Sequence, residues 1–221
     1  MIKPKLKRYA KFLSRRPVNS QIANFLSQCK KNDRILNIGS GGEISKVIEA
    51  CLSEKNISFV SSDIDPNRNP DIVDDIVNST ISSNSFDYII CAEVLEHVEH
   101  PHKAANNLIS ILDDGGKIFI STPFIFPTHD APYDFFRYTE FGLKKIFSGK
   151  GDIVFFKPKH SYTESLMLLL LRGLWLRDAR ITTFVILHFF WNIPLFLFSK
   201  LFLKSFGNNA ICSGFIMIVN K

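Results

Sequence analysis

The chain has 221 residues, 46% of them hydrophobic, which suits one α/β domain with a sizeable core and room for an appendage. Its four cysteines, Cys29, Cys51, Cys91 and Cys212, lie far apart and form no CxxC pair, which argues against a zinc site or a disulfide framework and for reduced thiols in a cytosolic protein. The net charge of +6 divides unevenly: residues 1–33 carry nine Lys/Arg and one acid, residues 34–156 ten against eighteen, and residues 157–221 eight against two. Basic flanks around an acidic middle fit an anionic membrane surface better than a nucleic acid, whose enzymes concentrate positive charge around the active-site domain. For residues 1–16 alone, a solvated basic tail explains the charge equally well. Lys7, Arg8, Lys11, Arg15 and Arg16 interrupt any apolar run that a signal peptide would need.

After this basic segment, Ser20 to Lys30 places Ile22, Phe25, Leu26 and Cys29 at helical spacing and predicts a helix covering a sheet. An alternation follows: strand 34–38, helix 43–53, strand 57–62, a short strand at 72–74, strand 86–91, helix 101–112 and strand 116–121. Strands alternating with helices imply parallel βαβ units. Pro101 opens the helix at 101–112, and the run Asp113-Asp114-Gly115-Gly116 stops it. A helix at 139–148, a strand at 152–157 and a last strand at 211–219 complete the domain.

The first strand runs into ILNIGSGGE, Ile35 to Glu43, where Gly39, Gly41 and Gly42 let the backbone bend and approach a ligand. Such turns also arise from packing alone. Asp63, in SSDIDP, ends the second strand, where a carboxylate can accept both hydroxyls of a ribose. PDIVDDI puts Asp74 and Asp75 at the end of the third strand. SFDYIICAEVLEHVEHP, Ser85 to Pro101, is a fourth strand entering a Glu/His-rich turn. This order resembles the class I S-adenosylmethionine-dependent methyltransferases, over about Asn32 to Phe156 with Ile211 to Lys221 as the last strand. The resemblance implies a Rossmann-like α/β sheet, mostly parallel with an antiparallel last strand, and S-adenosylmethionine as cofactor. It further implies that Gly39 and Gly41 approach the methionine portion, Asp63 the ribose, and Asp75 with Ile76 the adenine, while Glu93, Cys91 and Ala92 line the sulfonium side. The first-strand acid of the family is Asn37 here, which removes a negative charge and keeps open a non-catalytic adaptor that retains the fold. Ile44 stands where a dinucleotide fingerprint needs its third glycine.

The block after the fifth strand reads His129, Pro132, Asp134, Arg137, Tyr138, Thr139 and resembles methyltransferases of sugar and cell-envelope polysaccharide biosynthesis. If the acceptor is a hydroxyl, His129 is the natural base. Asp134 could orient it, and Arg137 could bind an acidic sugar or phosphate. Equally, Asp134 and Arg137 could form a structural pair, with Thr139 capping the next helix. His97, His100 and His102 do not share one helical face, so their spacing predicts no metal site; His97 is expected at the cofactor or substrate edge.

From Leu166 to Leu203 the chain is dominated by Leu, Phe, Ile and Trp, with no formal charge from Ile181 to Ser199. A single span would leave the last strand on the wrong side of a bilayer. Helices lying in the interface are therefore expected, with Trp175 and Trp191 in lipid and Arg172, Arg177, Arg180, Lys200 and Lys204 at headgroups. A lid or a homodimer face is the soluble alternative. The expected organisation is a basic segment at 1–19, a methyltransferase domain at 20–160 and 207–221, and an apolar helical insertion at 161–206. The expected function is methyl transfer to a hydroxyl of a saccharide or lipid-linked glycan, peripherally on the cytoplasmic membrane face, with a lipid or quinone acceptor as the alternative.

Overall fold

A computed structural model describes residues 2–40, 42–176 and 211–221. Gly41, Arg177, Arg180, Trp191, Lys200, Lys204 and the uncharged run 181–199 lie outside the described residues. Seven strands form one sheet: β1 (Ile35–Ile38), β2 (Val60–Asp63), β3 (Ile72–Val73), β4 (Phe86–Ala92), β5 (Leu112–Pro123), β6 (Asp152–Pro158) and β7 (Gly214–Asn220), in spatial order β3-β2-β1-β4-β5-β7-β6. All pair in parallel except β7, which runs antiparallel to both β5 and β6. Among the described residues the α-helices are α1 (Ile2–Leu26), α2 (Gly42–Ser53), α3 (Pro101–Ile111), α4 (Glu140–Phe147) and α5 (Tyr162–Leu176).

Strand alternation divides the core between the two faces. Ile89, Cys91, Ile118 and Ile120 turn to one side and are buried with Ala104, Leu108 and Ile111 of α3 and Leu143, Ile146 and Phe147 of α4. Ile35, Ile90, Ala92 and Phe119 turn to the other, against Val18, Ile22, Phe25 and Leu26 of α1 and Ile48 and Leu52 of α2. The capping alternative for Thr139 is realised, since its hydroxyl accepts from the Gly142 amide at 3.1 Å. The Asp113–Gly116 run, expected as a connection, lies within β5, where Phe86 pairs with Leu112 but Tyr88 with Lys117. The intervening residues bulge out of the ladder.

The larger difference concerns the N-terminus. Residues 2–19 and the helix expected from Ser20 onward form one element, because α1 continues through Pro17 as one 25-residue helix. Proline brings no N–H to bond the carbonyl four residues back, so the Leu13 carbonyl is orphaned. His160, just after β6, supplies the missing donor: its Nε2 lies 2.9 Å from the Leu13 oxygen. Its Nδ1 is 2.5 Å from the Ser213 hydroxyl, which joins α1 to the chain entering β7. Burial depresses the imidazole's pKa, consistent with a neutral ring donating on one side and accepting on the other. The helix held in this way brings Ala10, Lys11, Ser14 and Arg15 to the same cleft as Gly39 and Asp63.

Candidate active site

A cleft of about 980 Å³ opens at the carboxyl ends of β1, β2 and β4, where open α/β sheets bind ligands. One wall is the turn from β1 to α2 and the end of β2. The Gly39 and Ser40 amides both donate to the Ser62 carbonyl, at 2.8 and 3.2 Å, which folds the turn back over β2. Gly39 has φ +81°, and a Cβ there would stand 2.6 Å from Val94 Cγ2, so only glycine fits. Gly42, also at positive φ, has nothing within 4 Å of a built Cβ and borders open cleft. Asp63 accepts from the Asp65 amide at 2.9 Å through Oδ1, while Oδ2 lies 3.5 Å from the Ser40 hydroxyl and 3.6 Å from Arg68. Ile64, exposed beside it, completes an apolar and acidic edge.

Four of the expected cofactor contacts sit differently. Asn37 is fully buried beneath the turn, its amide donating to the Ser45 hydroxyl at 3.2 Å, and it does not line the cleft. Asp75 accepts from the Val77 amide and the Asn78 side chain, both at 2.9 Å, as the cap of the short 3-10 turn 76–78. Ile76 packs in the core. The apolar surface that lines the cleft near Asp63 is Ile64, a residue missed although it adjoins the recognised acid. Cys91, expected beside Glu93, points into the core and its burial pushes the thiol pKa far up; Ala92 does face the cleft.

Glu93 leaves β4 with φ +56°, a strained conformation for a non-glycine residue that turns its side chain into the cleft. Its carboxylate accepts from the Ser121 hydroxyl at 2.7 Å and pairs with Lys159. Burial opposes its ionisation, but the Lys159 ammonium and the hydrogen bonds outweigh burial and hold the carboxyl below the usual range. Glu96, three residues on, has the opposite fate. It is fully buried, neither carboxyl oxygen has a hydrogen-bond partner among the described residues, and burial together with the Glu93 charge pushes it well above the usual range.

The other wall is the loop after β5. Arg137 closes it: Nη1 and Nη2 donate to the two Asp134 oxygens at 2.6 Å each, and its nitrogens also reach the carbonyls of Phe126, Pro127 and Phe136. Asp134 accepts from the His129 amide at 2.9 Å. The structural-pair alternative therefore describes these two residues: neither lines the cleft, and Arg137, with all three nitrogens engaged, is not free for an acidic acceptor. His129 does line it. Burial lowers its pKa, opposed by Asp134, so the ring is neutral at physiological pH. Its Nδ1 is 3.4 Å from Arg137 Nη2, which can only donate to it, and 3.4 Å from Asp134 Oδ2, which can only accept from it; with the ring proton turned to Asp134 on Nδ1, the Nε2 lone pair can take a proton.

His97 meets His129 edge to face, with ring centroids 4.9 Å apart, and its Nδ1 lies 2.6 Å from the Tyr133 carbonyl, which fixes the proton on that nitrogen. Glu96, His97 and His129 bring one potential ligand atom each within 4.8 Å of one another. His100 and His102 take no part in that group. Sequence spacing could not reveal the trio, since the loop after β5 delivers its third member. Lys159, Arg68 and Arg172 are also cleft or near-cleft residues that no motif marked.

The family described as "Methyltransferase domain" matches residues 9–150. The chain is 42% identical over 48 residues to the ubiquinone biosynthesis O-methyltransferase of Coxiella burnetii, a match covering 22% of this chain and only 20% of that protein. Among solved structures, it is similar to a SAM-dependent methyltransferase from Archaeoglobus fulgidus, with a TM-score of 0.60, 16% identity and 94% of each chain covered. It is also similar to phosphoethanolamine N-methyltransferase 2 of Haemonchus contortus in complex with S-adenosyl-L-methionine, with a TM-score of 0.57 and 15% identity over 92% of this chain and 52% of that one. These two structures share its fold.

Proposed function

Because the chain belongs to the methyltransferase-domain family, we propose that its cleft binds S-adenosylmethionine and that the methyl group passes to a hydroxyl of a saccharide or lipid-linked glycan intermediate at the cytoplasmic face of an anionic membrane. The observation that carries the reading is that Gly39 and Asp63 share one cleft with His129. When bound, the cofactor supplies an electrophilic methyl group. Asp63 would hold the ribose hydroxyls, the Gly39 turn would admit the amino-acid portion, and Ile64 would cover an adenine face. Glu93, kept ionised by Lys159, offers the cleft a negative charge that suits a sulfonium. His129 would take the acceptor's proton at Nε2, and its neutral state fits that task.

The membrane part of the reading rests on the basic flanks and on α1, which exposes Tyr9 and Phe12 beside Arg8, Lys11 and Arg16. No helix among the described residues is long and apolar enough to cross a membrane. A quinone acceptor is a second reading, favoured by the 48-residue match to the Coxiella enzyme. Product masses from methyl-labelled lipid and glycan extracts separate the two.

The deciding measurement is calorimetric titration with S-adenosylmethionine. Binding is expected, and Asp63→Ala should weaken it roughly 10- to 100-fold, the worth of charge-assisted hydrogen bonds. No binding at millimolar cofactor, or identical binding by the variant, sinks the proposal.

A further inference from the structure

Arg172 was expected at lipid headgroups, yet α5 turns it inward to line the cleft. Its guanidinium carbon lies 4.1 Å from the centroid of Phe126, and Phe126 in turn meets His129 with ring centroids 5.4 Å apart. The guanidinium and the proposed base thus both pack against one phenyl ring in the cleft. Arg172 Nε is buried and has no hydrogen-bond partner among the described residues. A guanidinium stays charged in any protein environment, so an unpartnered, desolvated donor of this kind carries a cost that needs an explanation.

The surrounding charges do not remove that cost. Burial lowers the Arg172 pKa, the Arg15 cation from α1 lowers it further, and only Glu93 acts the other way. Glu93 is already paired with Lys159, Asp134 with Arg137, and Arg15 lies 3.3 Å from Glu43 on the glycine-turn side. Two helices distant in sequence therefore bring like charges, Arg15 and Arg172, to one cleft, and Glu93 and Asp134 are already paired with other cations there. An anionic ligand group resolves both the repulsion and the open Nε donor.

We propose that Arg172 binds an anionic oxygen group, phosphate or carboxylate, carried by the methyl acceptor. This rests on reading the cleft as a methyl-transfer site, and it assigns the acceptor class: a hydroxyl compound that also bears a phosphate or carboxylate. The same chemistry could come from the cofactor's own carboxylate, and the test separates the sources.

The full-length protein, saturated with S-adenosylhomocysteine, is titrated calorimetrically with inorganic pyrophosphate and with acetate at constant ionic strength, for wild type, Arg172→Gln and Arg172→Lys. Saturable binding of at least one anion is expected for wild type, at least tenfold weaker in Arg172→Gln and intermediate in Arg172→Lys, with S-adenosylhomocysteine affinity within twofold throughout. A tenfold loss of S-adenosylhomocysteine affinity in Arg172→Gln, with anion binding intact, assigns Arg172 to the cofactor and overturns the proposal. So does the lack of saturable anion binding by wild type, or equal binding by both proteins. Should Arg172→Gln not fold, protection of wild-type Arg172 from phenylglyoxal by pyrophosphate decides the matter, unprotected labelling counting against it. If wild type binds no S-adenosylhomocysteine, the parent reading fails; the anion titration without it then decides Arg172 alone.

Discussion

The two walls of the cleft are built by different means. The wall at Gly39 and Asp63 is local: backbone amides of one turn fold onto Ser62, and a single carboxylate ends the adjacent strand. The facing wall is assembled from charged side chains delivered by β4, the loop after β5, the end of β6 and α5, and its ionisation states depend on one another. Glu93 and Glu96 show the consequence. Three residues apart, they are shifted in opposite directions because Lys159 pairs with Glu93, whereas Glu96 accepts no hydrogen bond among the described residues and feels the Glu93 charge. A wall of backbone tolerates substitution anywhere except at its turn, whereas a wall of coupled charges fails wherever one partner is removed.

The largest effect that sharpens this contrast is expected from Lys159→Met. The Lys159 side chain is 4% exposed and the Glu93 side chain 32%, so the pair is buried on one side and partly solvated on the other. Removing one member of a fully buried pair costs about 3–5 kcal/mol, and the partial exposure of Glu93 brings the expected loss to about 2–3 kcal/mol. Thermal melting should show it as a drop of roughly 5–10 °C. Adding Glu93→Gln should recover most of it. A single variant that melts with wild type would mean that the wall is not held by this pair.

The same contrast governs what could be read in the sequence. The βαβ alternation, the glycine turn and Asp63 were legible because each depends on a few neighbouring residues. The antiparallel β7 and the mostly parallel sheet followed from the family pattern. Continuity of α1 was not legible, because Pro17 is a helix breaker unless something satisfies the Leu13 carbonyl, and the donor that does so is 147 residues away. The motif around His129 named Asp134 and Arg137 but could not tell a loop clasp from a substrate clamp. Only the engagement of every Arg137 nitrogen separates them. Arg172 was invisible for the opposite reason: within an apolar run, a cation reads as a snorkelling surface residue, and only the packing of α5 over Phe126 turns it into the cleft.

Two carboxyl groups on the charged wall give pH limbs of opposite sign. The Asp134 carboxyl is held well below the usual range by the Arg137 hydrogen bonds, against a burial that would raise it. Its stabilisation is therefore full above the unfolded-state pKa of about 4 and is lost as pH falls through the folded value. Asp134→Asn should melt lower than wild type at pH 7, by a margin that shrinks steadily below about pH 4. Glu96 is raised instead, so the unfolded chain ionises it first and stability is lost as pH climbs above about 4. Glu96→Gln, which ionises in neither state, should gain on wild type between pH 4 and pH 7. Parallel melting curves for wild type and Glu96→Gln across that range would show that Glu96 is ionised in the folded protein.

The smallest expected effect, from Asp75→Ala, tests the border between the walls. The family pattern implies that Asp75 meets the adenine, whereas its oxygens accept from Val77 and Asn78 at the start of a three-residue turn. Loss of such a cap costs at most about 1 kcal/mol, so melting should shift by only a few degrees. Because the carboxylate is committed to the turn and Ile64 is the apolar residue that lines the cleft beside Asp63, affinity for S-adenosylmethionine should stay within threefold of wild type. If it falls as far as in Asp63→Ala, Asp75 exchanges its cap for the ligand on binding. The local wall would then extend one strand further, to the end of β3, and the sequence pattern would have located an adenine contact that the cap geometry conceals.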